Sequence, residues 1–369
     1  MVALLIMQRH PCTYLVSGWK FVFFWLVEQL PLGRYKIMKR IIVAISLALA
    51  VLTLASFILG QTLNAGEPGQ VAGNGAPPLS NPLKVALLKW YGANTVPTEF
   101  PVGNEPYGVA FDGANIWTAN YGGGTVSKLG ASDGQILGTF PAGAGAYGVT
   151  FDGANMWVSN VGSGNVYKLR ASDGKNFGIF AVGPGPGWMA FDGANLWVTT
   201  APSSGNGSVN KLRASDGKIL GTFPVGSGPI AAACDGANIW VTNQGSASVT
   251  KLRASDGTVL GTFPVGSLPL GIAFDGANMW IANNGVGTIS KLRASDGTVL
   301  GTFNLGGLPY GVAFDGSSVW ITGADLVRLR PSDGTILARF KFHSNFAGIA
   351  FDGANIWVAA TNANAAGKL

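Results

Sequence analysis

Few acids lie in the body outside the repeated turns, Glu67, Glu99, Glu105 and Asp325, and of these Glu105 and Asp325, with His343 of ARFKFHSNFAG, are the candidates for acid–base or metal chemistry. Proton transfer needs a group positioned against its substrate, and a divalent ion such as magnesium or calcium needs several converging donors. One histidine and two carboxylates on different units meet neither demand well. The same regions are richer in aromatics and amides. Tyr107, Tyr147, Trp188, Tyr310 and Phe346 read as equivalent places just before a strand, with Tyr121, Asn120, Asn160, Asn243, Asn283 and Asn284 in nearby turns. Aromatic faces beside amides suit a glycan, a peptide or an aromatic small molecule. The competing structural reading has the aromatics filling an entrance and the asparagines holding turns. The residues alone leave both open.

What positions these side chains is a repeat. FDGANIW occupies 111–117 and returns letter for letter at 351–357. Its tryptophans, Trp117, Trp157, Trp197, Trp240, Trp280, Trp320 and Trp357, are spaced by 40, 40, 43, 40, 40 and 37 residues. A period near forty signals propellers or solenoids. One unit, Pro106 to Gly143, is punctuated at FDGAN, after TAN, at ASDG and at FPAG. Between these turn signals lie four short runs rich in Val, Ile, Thr, Phe and Trp, which predicts a four-stranded antiparallel meander. Asp112-Gly113 and Asp133-Gly134 supply the positive φ that tight hairpins need.

The chain ends choose between the two architectures. Leu369 aligns with Leu292, so the last unit stops within its third strand. Val85 to Gly103, ahead of the first FDGANIW, aligns with the third and fourth strands of a unit. The sequence therefore predicts an all-β fold: a seven-bladed β-propeller over 84–369, closed by N-terminal sequence that completes the last blade and removes free sheet edges. A monomer is expected.

The aspartates of the DGAN and SDG turns read as turn formers rather than calcium ligands, because Asp bonds its own backbone there. In an antiparallel meander those two turns share one face. The second-to-third turns and the crossings between blades share the other, and there the repeats disagree: GNEPY, GPGPGW, GSLPL, FHSNF. A site is expected on that variable face. The Lys-Leu-Arg runs at 168, 211, 251 and 291 read as solvated flanks with packed stems.

Charge excludes one partner class. The net charge is +6, but residues 1–65 hold six basic residues against one acidic, leaving the remainder near neutral. Such a body has no general attraction for a phosphate backbone, so no nucleic-acid partner is expected. Lys36, Lys39 and Arg40 precede the uncharged run Ile41 to Leu59, followed by small and polar residues. That pattern reads as a secretory signal or as an uncleaved membrane anchor, and either predicts an exported protein, periplasmic, secreted or held at the cell surface. Residues 66–83 read as a linker. Cys12 and Cys234 are the two cysteines, and Cys234 stands where other units have Phe, as a small apolar core residue.

The unit with FDGANIWVTN-like, TVSKLRASDG-like and VLGTFPVG segments resembles YVTN-type bacterial propeller repeats and streptogramin-lyase-like propellers, over nearly all of Val85 to Leu369. The resemblance implies the propeller fold, which hosts lyases, lactonases, scaffolds and binding proteins alike. For the lyases it implies a histidine with acidic magnesium ligands on one face. The sequence points first to a binding or interaction module on the variable face, and second to a metal-dependent lyase or lactonase using Glu105, Asp325 and His343.

Overall fold

The computed structural model describes residues 98–341 and 344–369. Seven four-stranded antiparallel sheets form the blades of a propeller. The chain enters at β1 (Thr98–Pro101) and then builds blade 1 from β2 (Pro106–Phe111), β3 (Asn115–Asn120), β4 (Thr125–Gly130) and β5 (Ile136–Pro141). Blades 2 to 5 repeat this as β6–β9 over 146–181, β10–β13 over 186–227, β14–β17 over 229–264 and β18–β21 over 269–304. Blade 6 comprises β22 (Val312–Phe314), β23 (Val319–Ile321), β24 (Asp325–Leu329) and β25 (Ile336–Lys341). Blade 7 takes β26 (Phe346–Phe351), β27 (Ile356–Ala360) and β28 (Ala365–Lys368) from the C-terminal end, and β1 as its outer strand.

Closure is thus by one strand. β1 pairs with β28 from Thr98 opposite Lys368 to Pro101 opposite Ala365. The third strand of blade 7 comes from β28, and not from the sequence before β1. Residues 85–97, like the apolar run 41–59, lie outside the described residues.

Each strand's composition follows its radial position. Second strands such as NIWTAN are packed on both faces by neighbouring blades and are buried almost throughout. Outer strands such as ILGTFP alternate between exposed and half-buried positions. The core is a series of layers between blades. Trp117 and Val126 of blade 1 meet Met156 and Val158 of blade 2, and the closing layer sets Trp357 and Ala366 against Ile116 and Leu129. Six of the seven repeated tryptophans are fully enclosed, and truncating one to Ala is expected to cost about 3–5 kcal/mol.

The first hairpin turn explains why Asp, Asn and Trp recur together. Asp112 Oδ1 accepts from the backbone N–H of Ala114 and Asn115, at 2.9 and 2.6 Å. Its Oδ2 accepts from Trp117 Nε1 at 2.8 Å, which satisfies the indole at the edge of the core. The same set recurs at the other six turns, with Ser317 and Ser318 replacing the amide in blade 6. The SDG turns press on the preceding blade. Gly174 has φ +73°, and a Cβ there would run into the Phe140 ring, which itself lies 5.6 Å from that of Trp117. At the closure Phe100 of β1 does the same work against Trp357 and Gly134.

The third-strand lysines are not solvated flanks. Lys128 is buried, stands 5.3 Å over the Trp117 ring and donates to Ala171 O and Ser172 O of the next blade, at 2.7 and 3.1 Å. Lys168, Lys211, Lys251 and Lys291 repeat this latch around the ring. Blade 6 alone carries Arg328, which bonds Ser318 of its own blade. The arginines that follow these lysines are solvated as expected, and those of blades 2 to 6 pair with Asp three residues on. Such exposed pairs add little stability.

Candidate functional site

Two faces are distinguished by backbone contacts. On one, the DGAN and SDG turns touch, with Ala131 N donating to Ala114 O. On the other, second-to-third turns meet the crossings between blades, with Tyr121 N donating to Glu105 O at 2.9 Å. Tyr107, Tyr147 and Tyr310 share one register at the start of the inner strands of blades 1, 2 and 6. Trp188 does not. Counting back from Phe191, which pairs with Leu196 as Phe111 pairs with Ile116, places Trp188 where blade 1 has Gly108 and Gly187 where it has Tyr107. Phe346 is also displaced by one, into the place of Pro106, and is buried between blades.

That one-residue shift has a steric consequence. Successive strand residues face opposite sides, so Trp188 enters space that the glycines of neighbouring blades leave open. Its ring stacks on Tyr147 at 5.4 Å and meets Tyr310 edge-on at 5.4 Å. Tyr147 and Tyr310, from blades on opposite sides of the axis, share a hydroxyl–hydroxyl hydrogen bond of 2.6 Å. Tyr107 lies 5.2 Å from Tyr147 and 6.4 Å from Tyr310. Of these rings Trp188 also lines a cavity of about 170 Å³, with Val109, Val149, Met189, Ala231, Gly271 and Gly311 among its other walls.

Electrostatics match this enclosure. Burial holds the Tyr147 phenol well above its ordinary range, and burial pushes Tyr310 up to about 12. Tyr107 is raised by burial and by the nearby Glu105 carboxylate. All three are neutral hydrogen-bonding groups at physiological pH and supply no proton acceptor.

The amide nitrogens of these asparagines bond locally, while the buried Oδ1 atoms of Asn160 and Asn283 have no hydrogen-bond partner among the described residues. Asn120 Nδ2 donates to Thr125 Oγ1 and Ser127 Oγ, both at 3.0 Å. Asn243 and Asn283 make the equivalent pairs with Ser248 and Thr250, and with Thr288 and Ser290. Asn160 donates to Asn165. All four are fully buried. Tyr121, 38% exposed, packs edge-on against Tyr107.

Amides do line open space, and of those read from the sequence Asn284 is among them. A depression of about 310 Å³ is bounded by Tyr107, Tyr310, Phe346 and Leu308 together with Asn284, Asn345, Thr361 and Asn362. Sequence reading did not single out Leu308, Asn345 or Asn362. Their signal was the variation itself: LPY against GAY, and TNA after AA where other units read N-x-G.

The acidic candidates are far apart in the ring. Glu105 belongs to the loop entering blade 1, in a left-handed backbone conformation, with its N–H donating to Asn364 Oδ1 at 2.8 Å. Asp325 belongs to blade 6, where its carboxylate faces Arg339 Nη1 at 3.7 Å. Blade 7 lies between them. His343 lies outside the described residues. Among the described residues no three His, Cys, Asp or Glu side chains gather to hold a metal ion. A guanidinium beside Asp325 further competes with any cation there, so these residues do not fit a magnesium or calcium site. Cys234 is half-buried, with its thiol pushed up by burial, and its Sγ accepts from Gly236 N.

No family model matches the chain, and no curated protein matches it. Solved structures do. A streptogramin B lyase is 20% identical with a TM-score of 0.63, covering 74% of this chain and 96% of that one. The hydrazine synthase of Kuenenia stuttgartiensis is 18% identical at a TM-score of 0.64, covering 74% and 97%. U3-55K is 11% identical at 0.65, again covering 74% and 97%. Proteins with such different names match equally well at low identity, so the likeness establishes the shape alone: this chain is a seven-bladed β-propeller of the architecture that streptogramin B lyase shares.

Proposed function

We propose that this chain is an exported binding module whose ligand occupies the variable face. The observation that carries the reading is the depression where Tyr107 and Tyr310 meet Asn284, Asn345 and Asn362. Aromatic walls with a few amide donors and acceptors are what a small polar organic ligand, glycan or peptide requires. The phenols of Tyr107 and Tyr310 that bound it are held neutral, which favours recognition over proton transfer. Export rests on the leader's charge and hydropathy pattern. A second reading, a metal-dependent lyase or lactonase, draws on the likeness to streptogramin B lyase and would need Glu105, Asp325 and His343 to act together.

Thermal unfolding of the full chain with neutral sugars, short peptides, Mg²⁺ and Ca²⁺ separates these readings, since a ligand of the native state raises the midpoint. An organic ligand is expected to raise it, and Asn362→Ala, altering an exposed side chain, to abolish the rise. A rise produced by a divalent ion and removed by Glu105→Gln or Asp325→Asn would overturn the binding reading in favour of the enzyme.

A further inference from the structure

Blade 6 departs from the repeat at five coupled positions. Strand register places Gly323 where blade 1 has Asn120, Asp325 at Thr125, Val327 at Ser127, Arg339 at Thr139 and Lys341 at Pro141. In blades 1, 4 and 5 that set is a neutral network of one amide and its hydroxyl partners. None of it remains in blade 6. The connection has shrunk as well, from the four residues between Asn120 and Thr125 to Ala324 alone, which accounts for the 37-residue spacing after Trp320.

In the space so opened is a cavity of about 350 Å³. Its walls include Leu305, Leu308, Pro309 and Ile321, and its charged lining is Asp325, Arg339 and Lys341. Arg339 donates through Nη2 to Leu305 O, yet meets Asp325 only at 3.7 Å, beyond hydrogen-bond length. A loose, partly exposed pair of this kind contributes little to stability. Exchanging a buried neutral network for charges beside apolar walls is unfavourable for folding by itself. Two cations against one carboxylate leave the cavity net positive. It also shares Leu308, Gly323 and Ala324 with the aromatic and amide depression, so the two form one groove.

We infer that this groove takes a peptide by its terminal carboxylate: Arg339 and Lys341 hold the carboxylate, Leu308, Pro309 and Ile321 receive the adjoining apolar side chain, and Asn345 and Asn362 meet the preceding backbone amides. The inference rests on the reading of the variable face as a binding face. Guanidinium recognition of a carboxylate supplies direction and charge-assisted strength. A uronic sugar also carries a carboxylate, but its hydroxyl-covered ring would be desolvated against aliphatic walls at the cationic end.

The test compares acetyl-Ala-Ala-Leu as free acid, the same peptide as its C-terminal amide, and a digalacturonate, each titrated into the full-length chain by calorimetry. The free acid is expected to bind at least roughly tenfold more tightly than the amide, the usual size of a lost charge-assisted bond. Arg339→Gln should make acid and amide bind alike. Asp325→Asn should tighten the acid several-fold by removing the competing carboxylate, a gain that a purely structural ion pair would not give. If Arg339→Gln does not fold, Lys341→Gln on an exposed side chain carries the same comparison, with a smaller loss. Equal binding of acid and amide to the unaltered protein, preference for the digalacturonate, or an Asp325→Asn variant that only melts earlier would each overturn the inference. A neutral ligand that binds while the acid peptide does not would sink this inference and leave the binding module standing, whereas binding of neither sinks both.

Discussion

Lys368 Nζ, 5.3 Å over the Trp357 ring, donates 2.8 Å to the carbonyl oxygen of Ala131, 237 positions away in sequence. It reaches Ser132 O as well, at 3.0 Å. The second-last residue of the chain therefore makes across the closure the latch that the other lysines make between consecutive blades. A ring is only as stable as its seam, and this ammonium joins there the β1–β28 strand pair and the apolar layer of Trp357 and Ala366 against Ile116 and Leu129.

Replacing Lys368 by Met keeps the stem and removes the donor. Two carbonyls, one part-buried and one exposed, then lose their charged partner, and a loss of about 1 kcal/mol is expected. Urea unfolding of Lys368→Met beside Arg253→Ala, which breaks only a solvated pair, checks this. Equal midpoints would show that the latch contributes nothing beyond a surface contact.

Acid should undo the first hairpin turns together. Burial alone would raise the carboxyl of Asp192, but bonds from the Trp197 indole and from the backbone at Ala194 and Asn195 outweigh it and hold the group below its usual range. Asp112, Asp235, Asp275, Asp315 and Asp352 share that direction. A carboxyl depressed in the fold gives stability that is present above its unfolded value of about 4 and disappears as pH falls through the folded value. Unfolding is expected to steepen below about pH 4. Asp192→Asn sets an amide N–H against the indole N–H and should cost about 1–3 kcal/mol at neutral pH. A denaturation series from pH 2 to 7, in which the variant parallels the unaltered chain, would contradict this assignment.

Alkali should act at the aromatic plug. A phenol raised in the fold gives stability that is complete below its unfolded value of about 10 and is lost as pH rises through the folded value, about 12 for Tyr310. Phenolate absorbance is expected to develop in two stages, with Tyr147 and Tyr310 ionising last and together with unfolding. Should every tyrosine titrate near pH 10, the hydrogen bond between these two hydroxyls would not persist in solution.

The repeat made much of this architecture readable before any coordinates. Seven tryptophans at a forty-residue period, Asp-Gly turns and a last unit cut short in its third strand are local signals, each with one economical structural solution. The turn aspartates were readable for the same reason, since an Asp two residues before a backbone N–H bonds within its own loop. The face carrying variation was also legible, because antiparallel connectivity alone sorts the turns into two sets.

Where alignment by eye went astray, a single residue was enough. Trp188 looks like the counterpart of Tyr107 until the strand pairing of Phe191 with Leu196 moves it onto the glycine position. The lysines read as solvated flanks until the next blade's carbonyls are placed beside them. Arg339 and Lys341 drew no notice, because their meaning depends on which residues of β24 they oppose.

The sequence by itself determined the blade count, the strand order within each blade and the closure by the N-terminal strand, because these follow from periodicity and turn chemistry along the chain. Only the tertiary structure decided that Tyr147 and Tyr310 meet across the axis, that buried lysines latch one blade to the next, and that Asp325, Arg339 and Lys341 line one cavity. Those are distances between strands far apart in sequence or across a sheet, set by ring curvature and register, which no local pattern encodes.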